Sequence, residues 1–439
     1  MAVRSITRQR APNGRIESGR KLPLAVVLGA AVPLVFLHVH FQPGFDLGVA
    51  GARAKLADFA VLAVVLAGLA AGLRSGFAPL RRGLPVFAPT IALLAFIAVD
   101  TFLPVARDDP YSWRKHLVTA LTFGEYALLA PAVVLLARRA RDLELLLAGL
   151  IVWSGVATLV AALQFTGIVS TWDGTPSGRR KPSLLGYHDF AALSGAVLAL
   201  GLVGIALGDR RRRWTWAATA SGGLGLVLSG AVSALLGLVV AVAVVLLVAA
   251  RRGSLDTRRA AAVVAVAAVV GAGTVALRSA NLESLFFGRG HNVRNVESYS
   301  QRTLLGYIGL RIFGDHPALG VGWQGSSDEF AYGPYLADAH RRYPDQPELA
   351  FPSPAHPYGV QNGYIQALAD LGVPGLALLL ATLAAGLWLG LRAAARSAVA
   401  LAAVCWLLVA MGVWLGIGLV AGIPLDALVW LALGVAIAG

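Results

Sequence analysis

The chain has 439 residues, of which 57% are hydrophobic and only 14% charged, with a mean hydropathy of +0.71. So few charges cannot cover a water-exposed surface, so the composition excludes a soluble domain and reads as an integral membrane protein. The net charge of +14 does not point to nucleic acid, because the basic residues cluster at the ends of apolar segments.

In chain order, residues 1–22 are a basic tail with Pro and Gly but no apolar periodicity. Apolar segments then follow at 23–41, 57–73, 84–104, 117–137, 144–167, 186–208, 214–229, 231–250 and 260–277. After a polar interruption at 278–362 they resume at 363–390, 397–420 and 424–438. Each is close to the ~20 apolar residues that cross a ~30 Å hydrocarbon core, which makes about twelve spans. The first has no small-residue cleavage site behind it and is expected to stay as a span. The strand alternation of a membrane barrel is absent, and so is any internal repeat. The fold class expected is all-α: a polytopic transmembrane helical bundle with a large, partly helical extracytoplasmic loop.

Charge sets the expected orientation. Arg74, Arg81, Arg82, Arg138, Arg139, Arg141, Arg210 to Arg213, Arg251, Arg252, Arg392 and Arg396 fall on the same side as the basic tail. The positive-inside rule makes that side cytoplasmic. Both termini are then expected in the cytoplasm of a multi-pass protein of the cytoplasmic membrane, with 278–362 outside. Arg53, Lys55, Arg114, Lys115 and Arg179 to Lys181 run against the pattern. The organisation expected is a tail (1–22), a bundle (23–277), an extracytoplasmic loop (278–362) and C-terminal membrane helices (363–439).

Long loops between spans tend to carry function. In this one, Tyr299–Phe313 reads as an amphipathic helix, with Leu304, Leu305, Ile308 and Ile312 at helical spacing. Asp315-His316-Pro317 ends it, Gly320-Val-Gly322-Trp reads as a turn, and the Pro-rich stretch Tyr343–Gly359 is expected to be extended.

No P-loop, HExxH or GxSxG motif occurs, and the single cysteine, Cys405, sits in an apolar segment. Gly288-Arg-Gly290 is too short for a phosphate loop. Asp58, Asp100, Glu125, Asp189, Asp370 and Asp426 lie mostly near span ends, where capping accounts for them. No metal site and no cofactor are expected.

Four polar groups are expected to meet on the outer side: Arg179-Arg180-Lys181, His188-Asp189, Arg302, and His356 with Gln361-Asn362. Two spans also point their N-termini there, and free N–H groups at a helix N-terminus favour an anion. Arginine adds bidentate donors suited to phosphate. A lipid-linked phosphate or diphosphate is the ligand that fits a site at membrane level.

Three stretches resemble the O-antigen ligase and O-antigen polymerase superfamily of polytopic glycosyltransferases. Ala54-Lys-Leu-Ala-Asp58-Phe opens a span as that family's Leu-Ser-Asp segment does. Lys181-Pro-Ser-Leu-Leu-Gly-Tyr-His-Asp-Phe resembles its segment following a basic residue. Gln301-Arg302, then Asp315-His-Pro-Ala-Leu-Gly-Val-Gly322, then Gln361-Asn362-Gly-Tyr-Ile is similar to its strongest pattern.

The resemblance implies a GT-C-like fold and a metal-independent transfer of a glycan. The donor would be a lipid-linked oligosaccharide on polyprenyl diphosphate, and the acceptor a glycan, glycolipid or protein. It gives Arg302 the diphosphate, with His356, Gln361 and Asn362 at the catalytic position. Arg179, Arg180, Lys181, His188 and Asp189 would bind the substrate diphosphate. Two positions depart from the pattern. Gln361 stands where the family has His, and Gln cannot act as a base, which leaves His356 as the nearby imidazole. Leu228-Ser229-Gly-Ala-Val-Ser233 lacks the arginine of the family's Ser-Arg-Gly segment. Other classes in view are a polysaccharide polymerase, a transporter or flippase, and a non-catalytic relative that binds a glycolipid. Membrane lipid is the remaining expected partner; nucleic acid is not one.

Overall fold

The computed structural model describes residues 24–46, 53–208, 212–279, 298–420 and 423–439. The basic tail, Arg210, Arg211 and Gly288-Arg-Gly290 lie outside them. Before the loop come α1 (Val26–Val35), α2 (Leu56–Ser75), α3 (Leu84–Asp100), α4 (Trp113–Ala127) and α5 (Leu129–Leu136). These are followed by α6 (Ala140–Thr166), α7 (Tyr187–Leu207), α8 (Arg212–Ser229), α9 (Val232–Arg251) and α10 (Thr257–Leu277). The loop contributes α11 (Ser298–Asp315) and α12 (Glu329–Arg342), and α13 (Gly363–Ala394), α14 (Ala398–Val413) and α15 (Ile423–Ala438) close the chain. The only strands among the described residues are Phe45–Asp46 and Arg53–Ala54, paired antiparallel.

Eight helices among the described residues are long and apolar enough to cross a membrane, and α1, α14 and residues 425–438 are shorter apolar helices. The protein is an all-α, polytopic, multi-pass membrane protein. α1 is shorter than the expected 23–41: it carries Pro33 and stops at Val35. A proline near its end removes an N–H and crowds the preceding turn.

The bundle is built around α7, α14 and α15, whose side chains are buried nearly all round. A helix apolar on every face belongs in the interior. Between helices in lipid there is little hydrophobic drive, so association rests on close backbone approach at small residues. α7 and α8 meet this way: a β-carbon at Gly222 of α8 would lie 2.3 Å from the Leu198 nitrogen of α7.

The loop is anchored by a break in α13. Gly372 leaves the helical region at φ 64°, ψ −165°, and Pro374 has no N–H to give to the preceding turn. The carbonyls freed at Ala369 and Asp370 cannot stay unpaired away from water. Residues 317–322 fill the gap. Val321 N donates to Ala369 O (3.0 Å), Gly322 N to Asp370 O (3.0 Å), and Val373 N to Pro317 O (2.9 Å). The expected turn at Gly320–Trp323 is therefore also a plug, with Gly320 at φ 68°. A β-carbon at Gly320 would sit 2.3 Å from the Asp370 carbonyl.

Around this plug the loop has its own core. Leu304, Leu305, Ile308 and Ile312 of α11 are buried against Tyr332, Tyr335 and Phe351. The expected helix at 299–313 packs on this core and on α13. α12 has no counterpart in the sequence reading, because it is polar and contains Pro334. Its entry is fixed by Asp328, which accepts from Ser112 N (2.9 Å) and sits 3.0 Å from His116 Nε2 of α4. Burial pushes the Asp328 carboxyl up, but the His116 and Ser112 hydrogen bonds outweigh it and hold the group below the usual range. Tyr343–Gly359 is extended only in part: Glu348–Ala350 forms a 3₁₀ turn, and Ser353 and His356 pair through their backbones.

The plug makes a stability prediction. Gly320→Ala forces a β-carbon into the Asp370 backbone at a left-handed residue, at a cost of about 1–3 kcal/mol or more. Purified variant in detergent should unfold at a clearly lower temperature than wild type. Gly314→Ala, where nothing lies within 4 Å, should not. Equal Tm values for the two variants would contradict the docking described.

Candidate active site

A cavity of about 600 Å³ opens where the first turns of α7 and α13 converge with the middle of α11 and the turn between α8 and α9. Each wall has a local cause. α7 begins at Gly186, whose φ of 102° lets the chain turn sharply into the helix. α13 is started by Asn362, whose Oδ1 accepts from Tyr364 N and Ile365 N (both 3.1 Å). Its Nδ2 donates to Leu415 O at 3.2 Å, and Gly363 N donates to Trp414 O at 2.8 Å, so the start of α13 is tied to the end of α14.

Arg302 projects from α11 into this junction. Its Nε donates to Gln361 Oε1 (3.2 Å), and its Nη2 lies 3.0 Å from His188 Nε2. A guanidinium only donates, so His188 Nε2 is the acceptor and carries no proton in this arrangement. The guanidinium is held from two directions, by His188 in the first turn of α7 and by Gln361 just before α13.

Three further arginines border the cavity: Arg180, Arg278 and Arg342. Arg180 stacks over the Tyr187 ring at 4.1 Å. Arg180 and Arg278 flank the Gly230 turn, where a β-carbon would lie 3.0 Å from Arg180 Cβ and 3.2 Å from Arg278 Cδ. Arg342 reaches over the Tyr307 ring at 5.3 Å. Among the described residues no Asp or Glu lines the cavity, and Val232, Leu236, Leu310 and Leu415 give it an apolar wall. Such a chamber favours a ligand with concentrated negative charge and an apolar portion. Among the described residues no three His, Cys, Asp or Glu side chains converge to hold a metal.

The residues singled out in the sequence divide into two sets. Arg180, His188, Arg302, Gln361 and Asn362 meet at the cavity. Arg179, Lys181, Asp189 and His356 do not line it. Arg179 is exposed on the loop before α7. Lys181 is fully buried and donates through Nζ to Thr175 O (3.0 Å) and Pro176 O (2.5 Å), so it ties that loop together. Asp189 points the other way: its Oδ1 accepts from Leu425 N at 3.0 Å, at the start of α15. His356 is exposed and stacks on Tyr358, so it does not reach the space beside Gln361.

Arg278, Arg342 and Tyr307 went unnoticed in the sequence. Arg278 read only as the end of a span and Arg342 as part of a polar run. For Arg278 the signal available was a basic residue at a span end expected on the outer side, against the charge bias expected of the other spans. Arg278 also lies beside the Gly230 turn, in the segment where the resemblance expects an arginine that the sequence lacks.

Residues 216–380 match the family model described as O-antigen ligase. No curated protein matches the chain. The matched stretch runs from α8 into α13 and so contains Arg278, Arg302, Arg342, Gln361 and Asn362. Over that stretch the chain is similar to the O-antigen ligase family.

Proposed function

We propose that the protein transfers a glycan from a polyprenyl-diphosphate carrier to an acceptor at the outer face of the cytoplasmic membrane. The observation that carries this reading is the cavity: Arg180, Arg278, Arg302 and Arg342 with His188, and an apolar wall at the same opening. The diphosphate would meet the arginines and the polyprenyl chain the apolar side.

In the reaction, an acceptor hydroxyl oxygen bonds to the anomeric carbon of the donor sugar. The bond from that carbon to the diphosphate oxygen breaks, and the diphosphate leaves with the electron pair. Negative charge grows on that oxygen, so a guanidinium fixed beside it stabilises the transition state more than the ground state. Gln361 and His188 aim Arg302 for this. When a phosphate draws Arg302 toward it, His188 Nε2 is the imidazole nitrogen at the cavity that can take the hydroxyl proton. Gln361 itself cannot.

A second reading, retention of the lipid without turnover, is favoured by Gln361 standing where the family pattern has His. Turnover of purified polyprenyl-diphosphate glycan by the purified protein separates the two.

Arg302→Ala is expected to lower transfer by about 10²–10³-fold at normal protein level, the scale of a lost transition-state donor. Arg302→Lys should recover little of it, because an ammonium cannot reproduce the bidentate fork. His356→Ala should stay well short of the ~10²-fold loss of a general base. Glycan transfer in membranes of the complemented deletion strain measures all three. Normal transfer by Arg302→Ala would refute the assignment.

The outer-face placement is tested separately. Ala355 is exposed on the loop, so Ala355→Cys in spheroplasts should react with a membrane-impermeant maleimide. Labelling only after lysis would put the loop in the cytoplasm.

A further inference from the structure

A second, smaller cavity of about 280 Å³ lies beside the first, near the lower end of the ~300–1,000 Å³ typical of small-molecule sites. Its lining differs in kind. Where the first cavity has four arginines and an apolar wall, this one has Thr119, Gln324, Ser327, Tyr358 and Gln366, with Lys115 at its edge. Amides and hydroxyls supply paired donors and acceptors, the groups that read sugar hydroxyls. Gln361 lines both cavities. With Oε1 accepting from Arg302, its NH2 keeps donor capacity at the boundary.

Two features hold the walls of the second cavity in place. Gln324 sits in the left-handed region at φ 61°, ψ 7°, one of few non-glycine residues with positive φ. Such strain persists only where the surroundings hold it, and here Gln324 Nε2 is tied to Leu419 O at 3.1 Å. The other feature is His116, 1% exposed, which borders the cavity. Asp328 engages its Nε2 at 3.0 Å, which fixes the ring at the edge of the cavity.

We infer that this second cavity is the subsite for the acceptor's terminal sugar, which Gln361 separates from the donor diphosphate. The inference rests on the proposed donor site and adds to it a place for the attacking hydroxyl. An acceptor seated between Gln324 and Gln361 approaches the arginine cavity from the side of α4 and residues 357–360, apart from the apolar wall that would carry the donor lipid. The two substrates therefore need not pass one another.

Blocking the second cavity tests this. Gly359 and Ser327 both line it, and a β-carbon at Gly359 would make only ordinary contact, 3.6 Å from Ser327. Gly359→Cys and Ser327→Cys are each modified with benzyl methanethiosulfonate, with completeness read by intact mass. Each is compared with its own unmodified form; native Cys405 is buried. Ala355→Cys, outside the cavity, controls for the reagent. Two readouts are taken: glycan transfer in membranes holding the accumulated lipid-linked glycan, and the thermal shift produced by undecaprenyl diphosphate. Modification in the cavity should cut transfer by about tenfold or more, as loss of a positioned reactant does, and leave the thermal shift in place. Transfer that persists after complete modification at both positions would overturn the subsite. So would loss of the thermal shift along with transfer, which would make the cavity part of the donor site. A wild-type protein with no thermal shift from undecaprenyl diphosphate would instead sink the donor reading itself.

Discussion

The break in α13 is the constraint on which the rest of the molecule depends. Gly372 and Pro374 interrupt a helix within the membrane domain, and the carbonyls they release must find donors. The donors come from Val321 and Gly322 of the loop. Because this plug lies between α11 and α12, it fixes the loop core on α13 and with it the direction from which Arg302 enters. Local backbone chemistry at one break thus sets the position of a guanidinium near the start of two membrane helices. The Asp315–Gly322 and Gly372–Gly375 segments are far apart in sequence but act as one joint.

The electrostatics of the cavity follow from that placement. Four arginines border one volume, with no carboxylate among its described lining residues. Like charges so grouped repel one another, and a site of this kind is stabilised when an anion enters. Stacking of Arg180 on Tyr187 and of Arg342 on Tyr307 spreads part of that cost over aromatic faces. Gln361 and His188 accept hydrogen bonds from Arg302 without adding negative charge. A carboxylate at either position would pair with Arg302 and compete with a phosphate.

Much of this was legible in the sequence. The spans were readable because apolar runs of ~20 residues bounded by arginine match the thickness of a bilayer core and the charge bias at its faces. α11 was readable because Leu304, Leu305, Ile308 and Ile312 keep one face. Arg302, Gln361 and Asn362 stood out through ordered motifs. What sequence could not separate was the use of one residue type in two ways. Arg180 and Lys181 are neighbours, yet one borders the cavity and the other is bound inside its own loop by carbonyls. His188 and Asp189 are adjacent on α7 and so diverge by a helical step, one toward Arg302 and the other toward α15. Arg278 and Arg342 reach the site only through tertiary packing, and α12 forms despite Pro334 because Asp328 and the loop core hold it. His356 was singled out by closeness in sequence to Gln361, but the Ser353–His356 turn directs it outward.

The central claim is that the arginine cavity receives a lipid-linked diphosphate. A cryo-EM reconstruction of the full chain in lipid nanodiscs with undecaprenyl diphosphate tests it most directly. The account predicts density for two phosphates within hydrogen-bonding distance of Arg302 and of at least one of Arg180 and Arg278, with the polyprenyl chain leaving along Leu236 and Leu310. Diphosphate density elsewhere on the protein, with the Arg302 contacts to Gln361 and His188 unchanged, would contradict it.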